Sequence, residues 1–509
     1  MTTHIDLPQI EQEVGRYFRY AMLSHRWEAN EPLYKTVIKI VVYGLGASPT
    51  HEKLKMFCKV VRDAGFNWAW SDTCCIDKTD PSVLQEALVS MFKWYEGSAM
   101  TIIFLRGVSC LAKRGALIKS IWNTRAWTLQ EYHASKVVRI YTEEWTPYLG
   151  LNIDNFKDSP EIISEMEEAT GISAQALTAL RPGFDDVRVK LRLASTRQTS
   201  REEDAAYSLL GIFSMTMPVT YGEQDKALGR FLAQLLTSSG DASILAWTGR
   251  SGSFNSCLPS SITVFSQLPT SHIPVAISDS RMGAIIAEIH SLDLPTTLYD
   301  RVNELPLPSF AESRLKLPCL TFNVRQVSSK GPGVFHLQTK ALGDVVIQTQ
   351  EDLSRLNSLR LVHPWIDFLV CRRPVGGVPR GIVEEDTDNL SVQNELPSIP
   401  GPPNIALPTK KTLTTRFMSR IGFGGRSAPD TASVRSSSSL SFMDKQTRAL
   451  QFFARLRQPF GALLLTQTRQ NFDEYRRVAA ESLITVRVKE FTPEILNKLM
   501  DNVKTLDVL

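Results

Sequence analysis

Between residues 20 and 141 the chain alternates short apolar runs with stretches that carry a helical apolar stripe. This alternation restricts the fold more than any other feature. Tyr20 to Ser24 is a strand-length run ending in polar residues. Leu54, Phe57, Cys58 and Val61 then recur at i, i+3, i+4 and i+7, the face of an amphipathic helix, and Gly65 follows as its C-terminal cap. Phe66 to Ser71 is an aromatic run of strand length, and Trp70 to Asp77 reads as its end. The next helix has Asp80 as N-cap and Pro81 at its first position, where a missing N–H costs nothing. Leu84, Ala87, Leu88, Met91, Phe92 and Tyr95 form its buried face. Met100 to Leu105 is a third strand, Ser120 to Glu131 a short helical stretch, and Lys136 to Tyr141 a fourth strand. This order implies an α/β region with a parallel sheet and helices on both faces. Right-handed crossovers fix most of its topology.

A chain of 509 residues exceeds one core and implies two or three domains. The hydrophobic fraction of 43% and charged fraction of 22% are those of an ordinary soluble protein. A net charge of +4 lacks the concentrated basic face of a nucleic-acid binder, so no nucleic acid is expected as a partner. Apolar runs such as Thr101 to Leu105 and Ala462 to Leu465 are too short to span a bilayer, so no transmembrane segment is expected. Met1 to Asp6 has neither the basic start nor the apolar run of a secretory signal. The seven cysteines are odd in number, irregularly spaced and free of any C-x-x-C pair. That favours reduced thiols and a cytoplasmic location over a disulfide framework or a zinc site, and no metal is expected.

The first region, residues 15–150, holds seven of the nine tryptophans. Residues 151–250 read as a helical extension. In it, Ser200 to Glu203 fits a capping box, ahead of a stripe of Ala206, Leu209, Leu210 and Phe213. Pro218 and Tyr221-Gly222 break the chain before a helix with Ala227, Phe231, Leu232 and Leu235 on one face. Residues 251–375 shift to a period of two. Leu320, Phe322 and Val324 alternate with polar residues, and turns at Gly331-Pro332-Gly333 and Gly343-Asp344 precede Val334 to Thr339 and Val345 to Thr349, an antiparallel β pattern. Residues 376–445, with five prolines between 397 and 408 and the run Ser436 to Ser439, cannot bury enough apolar surface to offset ordering entropy, and disorder is expected there. Residues 446–509 end in the alternating Ile484, Val486 and Val488, which would rejoin the β-rich region.

Several chemistries are excluded by missing motifs. There is no P-loop, no G-x-S-x-G elbow and no H-E-x-x-H. Gly44-Leu45-Gly46 is a fragment of a dinucleotide fingerprint and reads as a turn. Three positions of the first region remain. Ser24 closes the first strand and Asp72 the second, and in open parallel sheets ligands bind beyond the carboxyl ends of strands. Glu131 lies on the short helix. Each has a plain structural alternative: a turn, a cap, a solvated helix glutamate. His25, beside Ser24, is the one histidine near these positions. Trp122 and Trp127 suit core packing as well as a substrate wall.

The stretch Ala21-Met22-Leu23-Ser24-His25-Arg26-Trp27 resembles the opening strand of the fungal heterokaryon-incompatibility (HET) domain. Trp70 to Lys78 (Trp-Ser-Asp-Thr-Cys-Cys-Ile-Asp-Lys) and Ser90 to Tyr95 resemble its next two segments. Arg125-Ala126-Trp127-Thr128-Leu129-Gln130-Glu131 resembles its most specific motif. Arg197 to Phe213, Met217 to Glu223 and Ser243 to Trp247 extend the likeness, in a form similar to that of mushroom-type fungi. The resemblance covers residues 15 to 250. It departs at Glu28, where the family usually has glycine beside the first strand, and at Leu193, where tryptophan is common.

This resemblance implies a flavodoxin-like (TIR-like) fold and a role in self/non-self recognition, immunity and programmed cell death. Some TIR domains cleave NAD⁺ at the nicotinamide–ribose bond with one helix glutamate. Trp127 and Glu131 match the Trp-to-Glu spacing of that helix, so the carry-over lands on Glu131 as the catalytic carboxylate. NAD⁺ would be a substrate, and no cofactor is implied. Ser24 and Asp72 are then placed to bind ribose hydroxyls, and Trp27 or Trp127 to wall the nicotinamide or adenine, with His25 beside them. The alternative is a non-enzymatic interaction module in which Glu131 pairs with a basic residue such as Arg125. Either reading expects self-association and a protein trigger. The basic stretch 410–426, with Leu413, Phe417, Met418 and Ile421 among its cations, offers contact with anionic membrane surface, although a solvated linker has the same composition.

Overall fold

The computed structural model describes residues 13–266, 293–364, 442–468, 474–489 and 491–509. Residues 376–441, most of the segment expected to be disordered, lie outside the described residues, as does the basic stretch 410–426. The chain divides into one unit of Met1–Leu369 with Lys445–Leu509 and a second of Val370–Asp444. The second falls almost wholly outside the described residues.

Four strands, β1 (Tyr20–His25), β2 (Trp68–Trp70), β3 (Met100–Phe104) and β4 (Val138–Tyr141), form a parallel sheet in the order β2-β1-β3-β4. The chain runs from β1 to one neighbour and then crosses to the other. Successive side chains of a strand point to opposite faces, and β1 divides its residues accordingly. Ala21 and Leu23 pack with Leu54, Phe57 and Val61 of the Pro49–Asp63 helix. Met22 packs on the other face, with Met91, Phe92 and Tyr95 of the Pro81–Gly97 helix and Leu129 of the Trp127–Ala134 helix. The expected stripes are those that become buried.

The Pro81–Gly97 helix starts as its sequence indicates. Asp80 accepts hydrogen bonds from the N–H groups of Ser82 (2.8 Å) and Val83 (3.3 Å), with Pro81 at the first turn. Asp80→Ala should cost about 1 kcal/mol, measurable as a lowered denaturation midpoint with an unchanged fold.

The helices of residues 160–239 cover the same face, and the chain between them is fitted closely to it. A methyl group at Gly211 would lie 2.2 Å from Cβ of Phe92. Gly211 therefore permits the extension to touch the Pro81–Gly97 helix. Gly211→Ala should destabilise by roughly 1–3 kcal/mol through overpacking, and a thermal midpoint equal to that of the parent chain would show that Phe92 can give way.

The expected capping box does not form. The helical turn there is Asp204–Tyr207, its N-cap Glu203 makes no side-chain cap bond, and the Glu203 carboxylate reaches forward to the N–H groups of Gly222 (2.7 Å) and Gln224 (3.1 Å). Those donors belong to the Tyr221-Gly222 turn, where Gly222 has φ +98°. Two N–H groups of a tight turn offer the carboxylate more than one at its own helix end.

The remaining strands form a nine-stranded sheet, β5 (Ser309–Ala311), β6 (Arg314–Gly331), β7 (Val334–Thr339), β8 (Val345–Gln348), β9 (Arg360–Pro364), β10 (Phe460–Gln467), β11 (Glu474–Arg477), β12 (Ile484–Val486) and β13 (Val503–Val508). Its pairings are antiparallel except for β11 with β13. Both faces are covered. On β6, Leu315, Leu317 and Cys319 join the core shared with the helical extension, whereas Leu320 and Phe322 face a separate core with Leu298, Phe453 and Leu499 from three helices.

Arg477 ties these parts together. It is buried, and its guanidinium donates to the carbonyl oxygens of Leu245 (2.9 Å) and Trp247 (2.6 Å) while lying 3.8 Å over the Trp247 ring. Burial lowers it to about 10, so it stays charged near neutrality. The Asn255 amide donates to the carbonyls of Ser313 and Val508, 2.8 Å each. No helix among the described residues is long and apolar enough to cross a membrane.

Candidate functional site

The pleat of β1 aims two neighbouring polar side chains in opposite directions at the point where the strand order reverses. Ser24 follows Met22 onto the face of the Trp127–Ala134 helix. There its hydroxyl donates to Glu131 Oε2 at 2.5 Å and accepts from the indole N–H of Trp122 at 2.7 Å. Tyr95, from the Pro81–Gly97 helix, donates its hydroxyl to the Leu23 carbonyl at 3.0 Å and lies within hydrogen-bonding reach of the Glu131 carboxyl group. Ser24, Glu131, Trp122 and Tyr95 are all buried, with Glu131 only 5% exposed.

Burial dominates the electrostatics of this cluster. Glu131 is pushed up to about 8, mainly because its charged form is desolvated and further because Asp72 is a neighbouring anion. Ser24, Arg125 and Arg197 act in the opposite sense. Arg197 is itself buried. It donates to the carbonyl of Arg125 and the hydroxyl of Thr128, both at 2.9 Å, and so holds its positive charge on the first turn of the helix that carries Glu131. A carboxyl group held largely neutral in a polar cluster at a strand tip is the arrangement expected of a functional acid or base.

His25 points to the opposite face. Its Nε2 is 3.2 Å from Asp72 Oδ1, and its Nδ1 is 3.8 Å from Glu31. The other Asp72 oxygen accepts the indole N–H of Trp27 at 2.6 Å, and the Lys78 ammonium sits 3.5 Å above the Trp27 ring. These bonds and the nearby cations hold Asp72 below the usual carboxylate range against the cost of burial. Trp27 remains 40% exposed, leaving aromatic surface at the rim of the sheet. Asp72 opens a short helical turn, Asp72–Cys75, instead of prolonging β2.

The structure thus brings Ser24 to Glu131 and joins His25, Trp27 and Asp72 in a second group that Glu131 senses through charge. Trp127 is engaged elsewhere. Its side chain lies beside Asp204 of the helical extension and favours the charged form of that carboxyl group, and Asp204 accepts from the Tyr221 hydroxyl at 2.9 Å. Tyr95 was readable only as part of an apolar stripe, although a buried tyrosine needs a partner for its hydroxyl. Trp122 carried the same cue in its indole N–H. Arg197 and Lys78 lay within segments that resemble the family, but nothing in the sequence marked their roles.

Glu28 forms part of a charged strap beside the site. Its carboxylate pairs with Lys53 (3.0 Å) and Arg106 (3.3 Å), and Lys53 also pairs with Glu31. Among the described residues no three His, Cys, Asp or Glu side chains are grouped as a metal site requires.

The family model described as heterokaryon incompatibility protein (HET) matches residues 20–115, ending short of Glu131. The chain is 34% identical over 236 residues to the vegetative incompatibility protein HET-E-1 of Podospora anserina, an alignment covering 44% of this chain and 16% of that relative. It therefore matches about a sixth of that relative's length. No solved structure matches the chain. The opening strand, the second strand and the helix between them lie inside the matched segment, so this part of the chain is similar to the fungal heterokaryon-incompatibility family.

Proposed function

We propose that this chain acts in heterokaryon incompatibility as a self/non-self effector, and that the polar cluster at the tip of β1 cleaves NAD⁺ at the nicotinamide–ribose bond. The observation that carries this reading is the 2.5 Å contact between Ser24 and Glu131 at the point of strand reversal. The strand order β2-β1-β3-β4 is also that of flavodoxin-like sheets, which bind ligands at this switch point, and it supports the TIR-like reading.

The chemistry asks little beyond a positioned anion. The C1′–N bond breaks with its electron pair passing to the pyridinium nitrogen, which leaves as neutral nicotinamide. The ribose acquires oxocarbenium character, and a carboxylate facing C1′ stabilises it. Water then adds at C1′, and Glu131 takes its proton. Free Glu131 is mostly protonated at neutral pH, so the pyridinium ring of the substrate must draw it into its ionised form. Ser24, freed from Glu131, would meet a ribose hydroxyl. Trp27 offers its exposed ring to a base.

The test is direct. Incubation of the full chain with NAD⁺ at high protein concentration should release free nicotinamide. The second reading, a recognition module without turnover, is favoured by the 5% exposure of Glu131. In that case the Ser24–Glu131–Trp122 bonds serve to lock the helix to the sheet. Absence of nicotinamide under self-associating conditions would select it.

A further inference from the structure

Strand β2 ends in the turn Asp72–Cys75, which carries two adjacent thiols of unlike surroundings. Cys74 is buried and Cys75 is exposed. The N–H of Ser71 donates to the Cys75 sulfur at 3.4 Å, and the Cys74 thiol donates to the Ser71 carbonyl at 3.9 Å. An N–H aimed at a sulfur favours its anionic form. Accordingly the adjoining Cys74 thiol and the Ser71 N–H bring Cys75 down to about 7 against burial and the charge of Asp72. The nearness of Cys75 and burial push Cys74 up, and burial pushes nearby Cys58 up to about 11. One accessible sulfur drawn toward its anionic form thus stands beside one buried thiol.

We propose that this pair is a modification site for hydroperoxides, with Cys75 oxidised first and Cys74 closing a disulfide onto it. In the first step the Cys75 thiolate displaces hydroxide from the peroxide O–O bond and becomes a sulfenic acid. In the second, the Cys74 sulfur displaces the sulfenic oxygen, which leaves as water with the released proton. Two thiols and one peroxide give one disulfide and two waters. Neighbouring Cα atoms are about 3.8 Å apart, below the roughly 4.4–6.8 Å span of ordinary disulfides. The peptide fixes that distance, so the eight-membered ring can close only if the peptide and torsions between Cys74 and Cys75 leave their helical values. Asp72 is the first residue of that turn and holds both Trp27 and His25, so oxidation would loosen the second polar group of the site. This inference does not depend on NAD⁺ cleavage.

The test uses the full chain, treated with hydrogen peroxide at pH 7, alkylated with iodoacetamide and digested with trypsin. Residues 63–78 form one peptide carrying both thiols. Peroxide should leave that peptide two hydrogens lighter and without alkyl groups. Cys74→Ser should leave a sulfenic acid on Cys75 that dimedone traps. Cys75 should react at least about tenfold faster than Cys110, an exposed thiol whose own N–H binds the Glu144 carboxylate. Two alkyl groups on the peptide after peroxide, equal oxidation of Cys110, or a bond from Cys75 to Cys58 would each overturn the proposal. The parent chain alone supplies these readouts if a variant fails to fold.

Discussion

Glu131→Gln should remove nicotinamide release by at least about a hundredfold while leaving the fold intact. The amide keeps the shape of the carboxyl group, can still accept from Ser24, and can never become the anion that an oxocarbenium-like ribose requires. The parent chain should show kcat/KM rising with pH to a plateau above about 8, because the ionised form is the active one and the free protein releases its Glu131 proton there. Stability should move the opposite way. Glu131 has a folded value of about 8 against an ordinary 4.5. Between these values the folded chain keeps a proton that the unfolded chain has lost. The contribution of Glu131 therefore favours folding fully below about pH 4.5 and is lost as pH rises through 8. At pH 9 the ionised side chain costs on the order of 4 kcal/mol, so Glu131→Gln should melt above the parent chain there and close to it at pH 5. Turnover unchanged in Glu131→Gln would remove the hydrolase reading. A variant no more stable than the parent at pH 9 would show that the carboxyl group is more hydrated than its burial indicates.

Arg477→Ala should be the most destabilising single change outside that cluster. The guanidinium gives charge-assisted bonds to two buried carbonyls and stacks on a buried indole. Its removal leaves the oxygens of Leu245 and Trp247 without these donors and opens a cavity beside the ring. A loss of roughly 3–5 kcal/mol is expected, read as a fall in melting temperature of roughly 5 °C or more. Arg477→Lys should recover only part of it, because an ammonium lacks the planar fork that spans two acceptors and stacks on the indole. A midpoint within a degree of the parent for Arg477→Ala would mean that water replaces the guanidinium freely.

The first sheet was legible because each element announces itself locally. The stripe at Leu54, Phe57 and Val61, the Asp80-Pro81 start and the apolar run at Met100 are patterns of adjacent residues. The site was legible only in outline. Ser24 and Asp72 could be placed at strand tips by topology, but Ser24 and Glu131 are 107 residues apart, and no periodicity encodes which hydroxyl meets which carboxylate. The pleat that sends Ser24 to one face and His25 to the other follows from alternation, yet the direction of each depends on register with β3. Trp127 illustrates the limit. Its spacing from Glu131 suggests a shared environment, but its side chain lies beside Asp204 because the helical extension covers that end of the helix. Ser200 and Glu203 fit a local capping pattern, and a tight turn 19 to 21 residues downstream of Glu203 competes for the carboxylate and wins. Arg477 sits in Tyr-Arg-Arg near the end of the chain with nothing to mark it as buried.

Leu315, Leu317, Leu463 and Val508 of the nine-stranded sheet share one apolar interior with Met91, Leu129 and Leu210. Evolution cannot exchange the downstream half for another effector as a plug-in cassette without re-carving the surface that receives it. Cutting the chain near residue 250 would bare that interior to water, and the liberated fragment should clump, so grafting experiments need to carry both halves across together.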